Sequence, residues 1–331
     1  MNTNLVMTRT LGRSGIAVSA LGLGCWAAGG AAENGAPASG WHGVTDEETI
    51  RAIHRGLELG ITFFDTANVY GNGRSERVLE KALGARRKDV IIATKFGWGF
   101  DEKTLEGTGP VTTPEGIRKS CEGSLRRLNT DYVDLLQFHI NDFPAEKAQP
   151  VRDTLEALVA EGKIRAYGWS TDFPDRARMF AAGPHCTTIQ VEMNVIDDAA
   201  DIIAVCEEFN LAAINRGPLA MGLLTGKYTV STSLPVEDVR GPKAPDWMKY
   251  FKDGKPNPEW LDKVKAVGEI LRSGGRTLAQ GALAWLWARS DKTLPIPGFK
   301  TVAQVEENAG ALRYGPLSAD QVSEIDRILG R

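Results

Sequence analysis

The sequence predicts an α/β protein: a closed (β/α)8 barrel of the TIM type, with an N-terminal β-hairpin and a C-terminal extra helix. Three observations predict this fold. Strand-length apolar runs alternate with helical periodicities along the 331 residues, eight such runs occur, and no linker-like stretch divides the chain. Alternating strands and helices form parallel sheets through right-handed crossovers, and a count of eight favours a closed barrel over an open sheet. The chain 1–331 is therefore expected to be a single domain.

The predicted strands are short β-branched or apolar runs, most of them bounded by turn residues. They span 18–25, 61–67, 89–95, 133–139, 164–170, 187–194, 212–217 and 293–298. Segment 7–18 overlaps the start of the first strand and is predicted to form a hairpin that turns at Gly12–Gly15. We expect this hairpin to cover one end of the barrel.

Apolar residues recur at helical spacing between the strands. The predicted helices are 47–59, 75–83, 114–128, 151–162, 174–182, 199–210, 301–311 and 318–330, with two more inside 259–289. Asp197 and Asp198 stand where a cap of the 199–210 helix is expected, and Ser318 stands at the start of the last helix.

Three connections are longer than is usual between a strand and a helix: 26–46, 96–113 and 228–258. Each follows a predicted strand. In a parallel barrel all three therefore emerge at the C-terminal end, where barrel enzymes carry their sites.

The composition excludes several classes of protein. Lys and Arg number 39 against 42 Asp and Glu, a net charge of −3, so no basic surface for nucleic acid or an anionic membrane is predicted. No run of 18 apolar residues occurs, which excludes a transmembrane helix, and the polar N-terminal segment has no signal-peptide core. Four well-separated cysteines predict neither a disulfide framework nor a zinc site and favour a cytoplasmic location. They are Cys25, Cys121, Cys186 and Cys206.

One glycine motif invites a different interpretation. Gly22-Leu23-Gly24-Cys25-Trp26-Ala27 matches the G-x-G-x-x-A dinucleotide-binding fingerprint and follows a predicted strand. The fingerprint also requires a helix that begins at once, whereas a Gly- and Ala-rich segment follows here. We therefore expect these glycines to allow tight packing at the rim of the barrel.

Polar side chains stand at the C-terminal ends of consecutive predicted strands: Asp65, Lys95 and His139. Inward-facing residues at these ends converge on one cavity. With Tyr70 nearby they can form an acid site, because a neighbouring ammonium lowers the pKa of a phenol and a carboxylate holds that ammonium charged. His139 could then orient a carbonyl oxygen or share the proton. Taken singly, each residue also has a structural interpretation. Asp65 is as consistent with a loop cap, Lys95 with a surface charge and His139 with a structural histidine.

Several motifs resemble those of the aldo-keto reductases, and the likeness extends along the whole chain. The motifs are Phe64-Asp65-Thr66-Ala67-Asn68-Val69-Tyr70-Gly71, Ala93-Thr94-Lys95, Leu136-Gln137-Phe138-His139, Gly168-Trp169-Ser170, Ile189-Gln190-Val191-Glu192 and the segments 217–227 and 296–308. The closest likeness is to bacterial members with an Arg-Gly-Pro-Leu-Ala segment, here residues 216–220.

This resemblance implies a barrel that binds a nicotinamide cofactor without a Rossmann domain, usually NADPH/NADP+ with NADH as the alternative. It implies Tyr70 as the proton donor, Asp65 and Lys95 as the groups that tune it, and His139 as the group that orients the carbonyl. A helix that begins beside Lys300 is also a natural phosphate site. The implied cofactor-binding residues are Trp26, Ser170, Thr171, Gln190, Arg216, Gly217, Leu219, Gly222, Lys227, Gly298, Lys300, Thr301, Gln304, Glu307 and Asn308.

Three positions depart from the family pattern. Thr171-Asp172 stands where Asn is usual, Arg216 stands where many relatives stack an aromatic ring on the nicotinamide, and Gln304 stands where some NADPH-specific relatives carry Arg. A planar guanidinium can also stack, and it adds positive charge beside the ring. Lys300 is therefore the main residue from which binding of a 2′-phosphate is predicted.

Aromatic residues are dense in the long connections, and some are expected to line an apolar substrate pocket. The predicted pocket residues are Trp26, Phe96, Trp98 and Phe143.

The sequence thus predicts an NADP-dependent enzyme of the carbonyl reductase or alcohol dehydrogenase class, which transfers hydride between nicotinamide and the carbonyl of an aldehyde or ketone. The expected partner is a small carbonyl or alcohol substrate, with no nucleic acid, membrane or metal, and no oligomeric state is implied. Two alternatives stay open: a non-catalytic nicotinamide-binding sensor subunit, and a class I aldolase in which Lys95 forms a Schiff base.

Overall fold

A computed structural model describes residues 7–30 and 41–331; residues 31–40 of the predicted connection 26–46 lie outside this range, as do residues 1–6. Within the described residues, one sheet of eight strands forms the centre of the molecule, and all its neighbouring strands are parallel. Helices surround it, so the predicted (β/α)8 barrel is confirmed. The strands are β1 (Gly22–Gly24), β2 (Phe63–Asp65), β3 (Ile91–Phe96), β4 (Val133–Phe138), β5 (Ile164–Ser170), β6 (Cys186–Glu192), β7 (Ala212–Arg216) and β8 (Thr293–Pro295).

The barrel nearly closes where β1 approaches the chain that follows β8. Gly24 forms a parallel bridge with Gly298, and its backbone N–H donates to the carbonyl of Pro297 at 3.1 Å. A Cβ on Gly24 would lie 2.6 Å from the carbonyl oxygen of Ile296, so only glycine permits this approach. The chain after β1 continues into a short 3-10 turn, Ala27–Gly29, and not into an α-helix. The glycines of the fingerprint motif therefore allow close packing where the barrel closes, as expected, and do not form a dinucleotide-binding turn.

Helices follow the strands in the predicted order, and two of them lie between β7 and β8. They are α1 (Asp46–Glu58), α2 (Arg74–Leu83), α3 (Pro114–Arg127), α4 (Gln149–Ala160), α5 (Pro174–Ala181), α6 (Ala200–Glu208), α7 (Pro258–Arg272), α8 (Leu278–Arg289), α9 (Val302–Gly310) and α10 (Ala319–Leu329). Ser318 caps α10 reciprocally with Gln321, as predicted. The predicted acidic cap of α6 is wrong: its N-cap is Ala199, whose side chain has no oxygen to accept from the first turn.

The N-terminal hairpin closes the end of the barrel opposite the long connections. Thr8–Thr10 pairs antiparallel with Ala17–Ser19, so Val18 belongs to this hairpin and β1 is shorter than predicted. Leu11, at the turn, is fully buried. It packs in one cluster with inward side chains at the starts of the strands, including Phe63 and Leu135. The hairpin is thus a plug for the N-terminal end.

The helical layer covers the outer face of the sheet. Helix α8 is buried around almost its whole circumference, because α7 and α10 pack over it. This explains why α8 is apolar on all sides and why the chain has a helix beyond the eighth unit. In the described ranges, no helix combines the length and hydropathy that a membrane crossing needs.

Side chains along each strand alternate between the barrel interior and the helical layer. On β3, Ala93 joins the interior cluster and Phe96 joins the outer one. Since Lys95 is two residues after Ala93, this alternation sends Lys95 inward and its neighbour Phe96 outward. The same parity places Asp65 and His139 at the C-terminal mouth of the interior.

Candidate active site

A large cavity of about 1430 Å³ occupies the C-terminal end of the barrel and extends over the closure between β1 and β8. Backbone and side chains from the three long connections form much of its wall. Most of the predicted site residues line it. They are Trp26, Asp65, Tyr70, Trp98, His139, Ser170, Gln190, Arg216, Gly217, Leu219, Gly222, Lys227, Gly298, Lys300, Gln304, Glu307 and Asn308.

The floor of the cavity holds a buried ion pair under a tyrosine. The Lys95 ammonium, which is fully buried, donates to Asp65 Oδ1 at 2.5 Å and to the carbonyl of Thr66 at 2.8 Å. Its third contact is the Tyr70 hydroxyl at 3.1 Å. An ammonium has three N–H donors, so these partners use all of them. The structure therefore brings Asp65, Tyr70 and Lys95 into direct contact.

The pKa values of both proton-carrying groups are raised, for different reasons. Burial opposes the charge of Lys95, but Asp65 and Tyr70 outweigh it and raise the pKa of Lys95. Burial also raises the pKa of Tyr70, and the neighbouring Lys95 only partly offsets that increase. The expectation that Lys95 brings the pKa of Tyr70 below its usual range is thus corrected. In the ligand-free protein Tyr70 is a stable proton donor.

His139 faces Tyr70 across the cavity floor. Its ring lies nearly perpendicular to that of Tyr70, with the centroids 5.9 Å apart. Burial lowers the pKa of His139 well below its ordinary value, and the positive charges of Lys95 and Arg216 lower it further. The imidazole is therefore neutral at physiological pH, and it can donate one hydrogen bond to an oxygen atom in the cavity.

Two buried amides complete the surroundings of Asp65. Gln137 Nε2 donates to Asp65 Oδ2 at 2.9 Å, and Gln190 Nε2 donates to the same oxygen at 2.8 Å. Gln190 Nε2 also lies 3.3 Å from Gln137 Oε1. Because both Gln190 N–H groups point into this network, its carbonyl oxygen is the atom left to face the cavity.

Arg216 at the end of β7 is held by two carboxylates that also line the cavity. It pairs with Asp172, and its second guanidinium nitrogen lies 3.2 Å from Glu192. Thr171, by contrast, stands outside the cavity wall. It is one residue beyond the inward-facing Ser170, and its hydroxyl donates to the carbonyl of Asn141 at 2.7 Å. Of the pair Thr171-Asp172, Asp172 is the member whose side chain lies at the cavity.

Three cations gather at the other end of the cavity, around the closure of the barrel. Lys227, Arg240 and Lys300 line it together. Burial lowers the pKa of Lys300; Asp238 opposes this, whereas Arg240 and Lys227 lower the pKa further. Arg240 is held by two hydrogen bonds to Asp238, at 2.8 and 2.7 Å. The arrangement concentrates positive charge where an anionic ligand would gain most from it.

The start of α9 contributes less to this end than the sequence suggested. Thr301 caps α9 by accepting from the Gln304 N–H, and it lies outside the cavity wall. The Val302 N–H donates to Glu48, and the Lys300 N–H donates to the Gln304 side chain. The Val302 and Gln304 N–H groups of the first turn are therefore already used within the protein, and side-chain cations supply the charge at this end.

Aromatic residues form the wall above Tyr70. Trp26 packs edge-on against Trp41, with ring centroids 5.5 Å apart, and lies 6.3 Å from Tyr70 and 6.2 Å from Trp247. Trp98, on the hairpin that follows β3, is 42% exposed at the rim. These rings supply an apolar lining next to the acid group.

Two predicted pocket residues lie elsewhere and are corrected. Phe96 points into the helical layer, as its position after Lys95 requires, and stacks on Phe138 with centroids 5.4 Å apart. Phe143 packs edge-on against the same Phe138 ring at 5.3 Å. Neither side chain reaches the cavity.

Comparison with known proteins agrees with this geometry. A family model described as "Aldo/keto reductase family" matches residues 20–329. The chain belongs to the aldo/keto reductase family. Aldo-keto reductase yakc of Schizosaccharomyces pombe, whose name carries the label NADP(+), is 32% identical over 97% of this chain and 90% of its own length.

Solved aldo/keto reductases share the barrel. The glycerol dehydrogenase AKR11B4 from Gluconobacter oxydans superposes with a TM-score of 0.80 at 30% identity, covering 99% of this chain and 96% of its own. An aldo-keto reductase from Klebsiella pneumoniae in complex with NADPH superposes with a TM-score of 0.67 at 26% identity, covering 98% and 95%.

Several residues of this aldo/keto reductase site were missed by sequence reasoning. Gln137 and Glu192 carried a usable signal, because each is two residues from a predicted inward residue, His139 or Gln190. Arg240 carried none, since the connection 228–258 has no periodicity to place it. The described part of the chain contains no cluster of three or more His, Cys, Asp or Glu side chains that could hold a metal ion.

Proposed function

We propose that this aldo/keto reductase is an NADP(H)-dependent carbonyl reductase, in which Tyr70 protonates the oxygen of an aldehyde or ketone. The observation that carries the proposal is the Lys95 ammonium, which contacts both the Tyr70 hydroxyl and the Asp65 carboxylate on the cavity floor. A phenol between an ammonium and an open cavity is placed to give a proton to a substrate.

A bound nicotinamide cofactor would supply a hydride to the carbonyl carbon, and the chain's own residues would handle the oxygen atom and its proton. Tyr70 donates a proton to the carbonyl oxygen as negative charge develops there. Lys95 stabilises the phenolate that remains, because its charge is fixed by Asp65. The neutral His139 donates a hydrogen bond to the same oxygen and fixes its direction. The aromatic wall around Trp26 excludes water from this step.

The residues of the cavity fit a phosphorylated dinucleotide. Ser170 and the free oxygen of Gln190 are polar groups beside the acid site for a carboxamide. Glycine backbone at 217 and 222 leaves room for a pyrophosphate, and Lys227, Arg240 and Lys300 provide cations for phosphate groups. Relatives named with NADP(+) or solved with NADPH support NADP(H) over NAD(H). The adenosine half would lie against Gln304, Glu307 and Asn308.

Two other functions are less well supported. A Schiff-base aldolase needs a lysine that reaches the substrate, but Lys95 is fully buried and all three of its donors are engaged. A sensor subunit needs no tuned acid, yet Asp65, Tyr70, Lys95 and His139 are assembled as a unit.

The test is turnover by Tyr70→Phe. General-acid catalysis contributes about 10²-fold to 10⁴-fold, so kcat for carbonyl reduction should fall at least about 100-fold. The Kd for NADPH, measured by fluorescence quenching, should change little because the ring is retained. Glyceraldehyde, dihydroxyacetone and an aromatic aldehyde make a suitable panel with either cofactor. Unchanged turnover in this variant, or tight NADPH binding by the wild type with no turnover of any carbonyl, would overturn the proposal.

A further inference from the structure

The Asp65 carboxylate is surrounded by donors from three other strands. Lys95 from β3 occupies Oδ1, while Gln137 from β4 and Gln190 from β6 both donate to Oδ2. An ionised carboxylate only accepts hydrogen bonds, so both amide nitrogens must point towards it. The contact from Gln190 Nε2 to Gln137 Oε1 then follows from the same orientation.

Gln137 differs from its partners because it does not reach the cavity. It is fully buried, pairs in register with Lys95, and shares the interior face of β4 with Leu135. It is absent from the cavity wall that Asp65, Tyr70 and Gln190 help to form. Gln137 thus touches no ligand in the cavity, so any effect on the reaction acts through its contacts with Asp65 and Gln190.

A buried ion pair of this kind is not stable by attraction alone. Removing both charges from water costs several kcal/mol per ion, and a proton can move from the ammonium to the carboxylate to give a neutral pair. Additional donors to the carboxylate favour its charged form. We propose that Gln137 is a positioning residue that keeps Asp65 ionised and Lys95 charged beneath Tyr70. This rests on the proposed function, since it concerns the acid strength of Tyr70.

The other ionisable groups around Asp65 do not titrate near neutral pH. Burial raises the pKa of the Cys25 thiol, and Asp65 raises it further. The pKa of Lys95 and that of Tyr70 are both raised, and that of His139 is lowered. A carboxyl group introduced at position 137 would therefore add its own titration to a pH profile of kcat that is otherwise flat near neutral pH.

Two substitutions separate this role from simple packing. Gln137→Met keeps the volume and removes the donor; loss of a hydrogen bond to a charged group predicts an about 10-fold to 100-fold lower kcat at all pH values. Gln137→Glu can still donate when protonated, and Asp65 raises the pKa of the new carboxyl group. Its kcat should stay within about threefold of wild type at low pH and fall as pH rises. Thr188→Val, a buried interior change at a hydroxyl without a partner among the described residues, is the matched control and should leave the pH profile unaltered.

Infrared spectroscopy of the ligand-free protein provides a second measurement. Gln137→Met should show a protonated-carboxyl band that is absent from wild type and is lost again when Asp65→Asn is added. Equal losses of kcat in Gln137→Met and Gln137→Glu at every pH, with no new band, would overturn the role of Gln137. If instead the wild type has no carbonyl turnover but the band appears, the proposed function fails and the ion-pair inference stands.

Discussion

At the cavity floor, the imidazole of His139 is buried beside two permanent cations, Lys95 and Arg216. Both the loss of water and the like charges disfavour imidazolium, so the ring remains neutral until the pH is far below its usual pKa. Tyr70 is displaced in the other direction, since burial keeps its proton in place. The neutral imidazole and the protonated phenol are the two forms that the proposed carbonyl reduction needs, and one environment produces both.

These two directions predict a flat pH profile for reduction. An ordinary His titrates near pH 6.5 and an ordinary Tyr near pH 10, so with one pKa lowered and the other raised neither group should titrate between about pH 6.5 and 9. We expect kcat/KM for the carbonyl substrate to vary less than about threefold across this range. An inflection near pH 6.5 that disappears in His139→Asn, but persists in the half-exposed control His185→Asn, would contradict the assignment.

At this scale the sequence was informative where strand parity applies. Asp65, Lys95 and His139 lie at or next to the C-terminal ends of their strands, and each faces inward as predicted. Phe96 was wrongly predicted to line the pocket because this rule was not applied to it. It follows the inward-facing Lys95 on the same strand, so its side chain faces outward. Whether the pKa of Tyr70 is raised or lowered could be decided only from the structure. Burial raises this pKa and the Lys95 ammonium lowers it, and the balance depends on how deeply both groups are buried.

At the scale of elements, the cation end of the cavity combines three segments: the loop after β7, the connection 228–258, and the turn before α9. The Val302 and Gln304 N–H groups at the start of α9 are already occupied, so Lys300 and Arg240 carry the charge. The sequence predicted α9 and Lys300 but not this occupancy, which depends on Glu48 from distant α1. Arg240 lies in a Pro-rich loop whose path no local rule determines.

Lys300→Ala should therefore alter cofactor preference. Loss of a charge-assisted contact to a phosphate predicts an about tenfold weaker Kd for NADPH. The Kd for NADH, which has no 2′-phosphate, should change less than about threefold. Lys265→Ala, on an exposed face of α7, is the control and should affect neither value. An equal increase in the Kd of both cofactors would mean that Lys300 does not contact the 2′-phosphate.

At the scale of the whole molecule, the two ends of the barrel have separate tasks. The proposed catalytic and ligand-binding side chains lie at the C-terminal end, while the N-terminal end is filled by apolar residues and the hairpin plug. The fold, its element order and the hairpin were predictable because periodicity and turn residues are local signals. The shortness of β1 and β8 was not, since it depends on how the two ends of the sheet meet.

Leu11→Ala tests this division. Truncating a fully buried leucine leaves a void and should lower the free energy of unfolding by about 2–5 kcal/mol in urea titration. Because the plug is at the end remote from Tyr70, kcat of the folded variant should remain within about twofold of wild type. Val230→Ala, at a 68% exposed position, should cost less than about 0.5 kcal/mol. A large loss of kcat without loss of stability would contradict the separation of the two ends.

The closure between β1 and the chain after β8 has a consequence for the cohesion of the fold. Gly24 and Gly298, which form that bridge, both line the cavity, as do Trp26 on one side and Lys300 on the other. A ligand that spans the cavity therefore touches segments from opposite ends of the chain and acts as a removable cross-link between them. Without it, the Gly24–Pro297 hydrogen bond and the packing of α1 against α9 hold the junction, and amide hydrogens of β1 should exchange with solvent sooner than those of β4 or β5. Ligand binding should therefore slow amide hydrogen exchange at the junction between β1 and the chain after β8, which lies away from the reacting atoms.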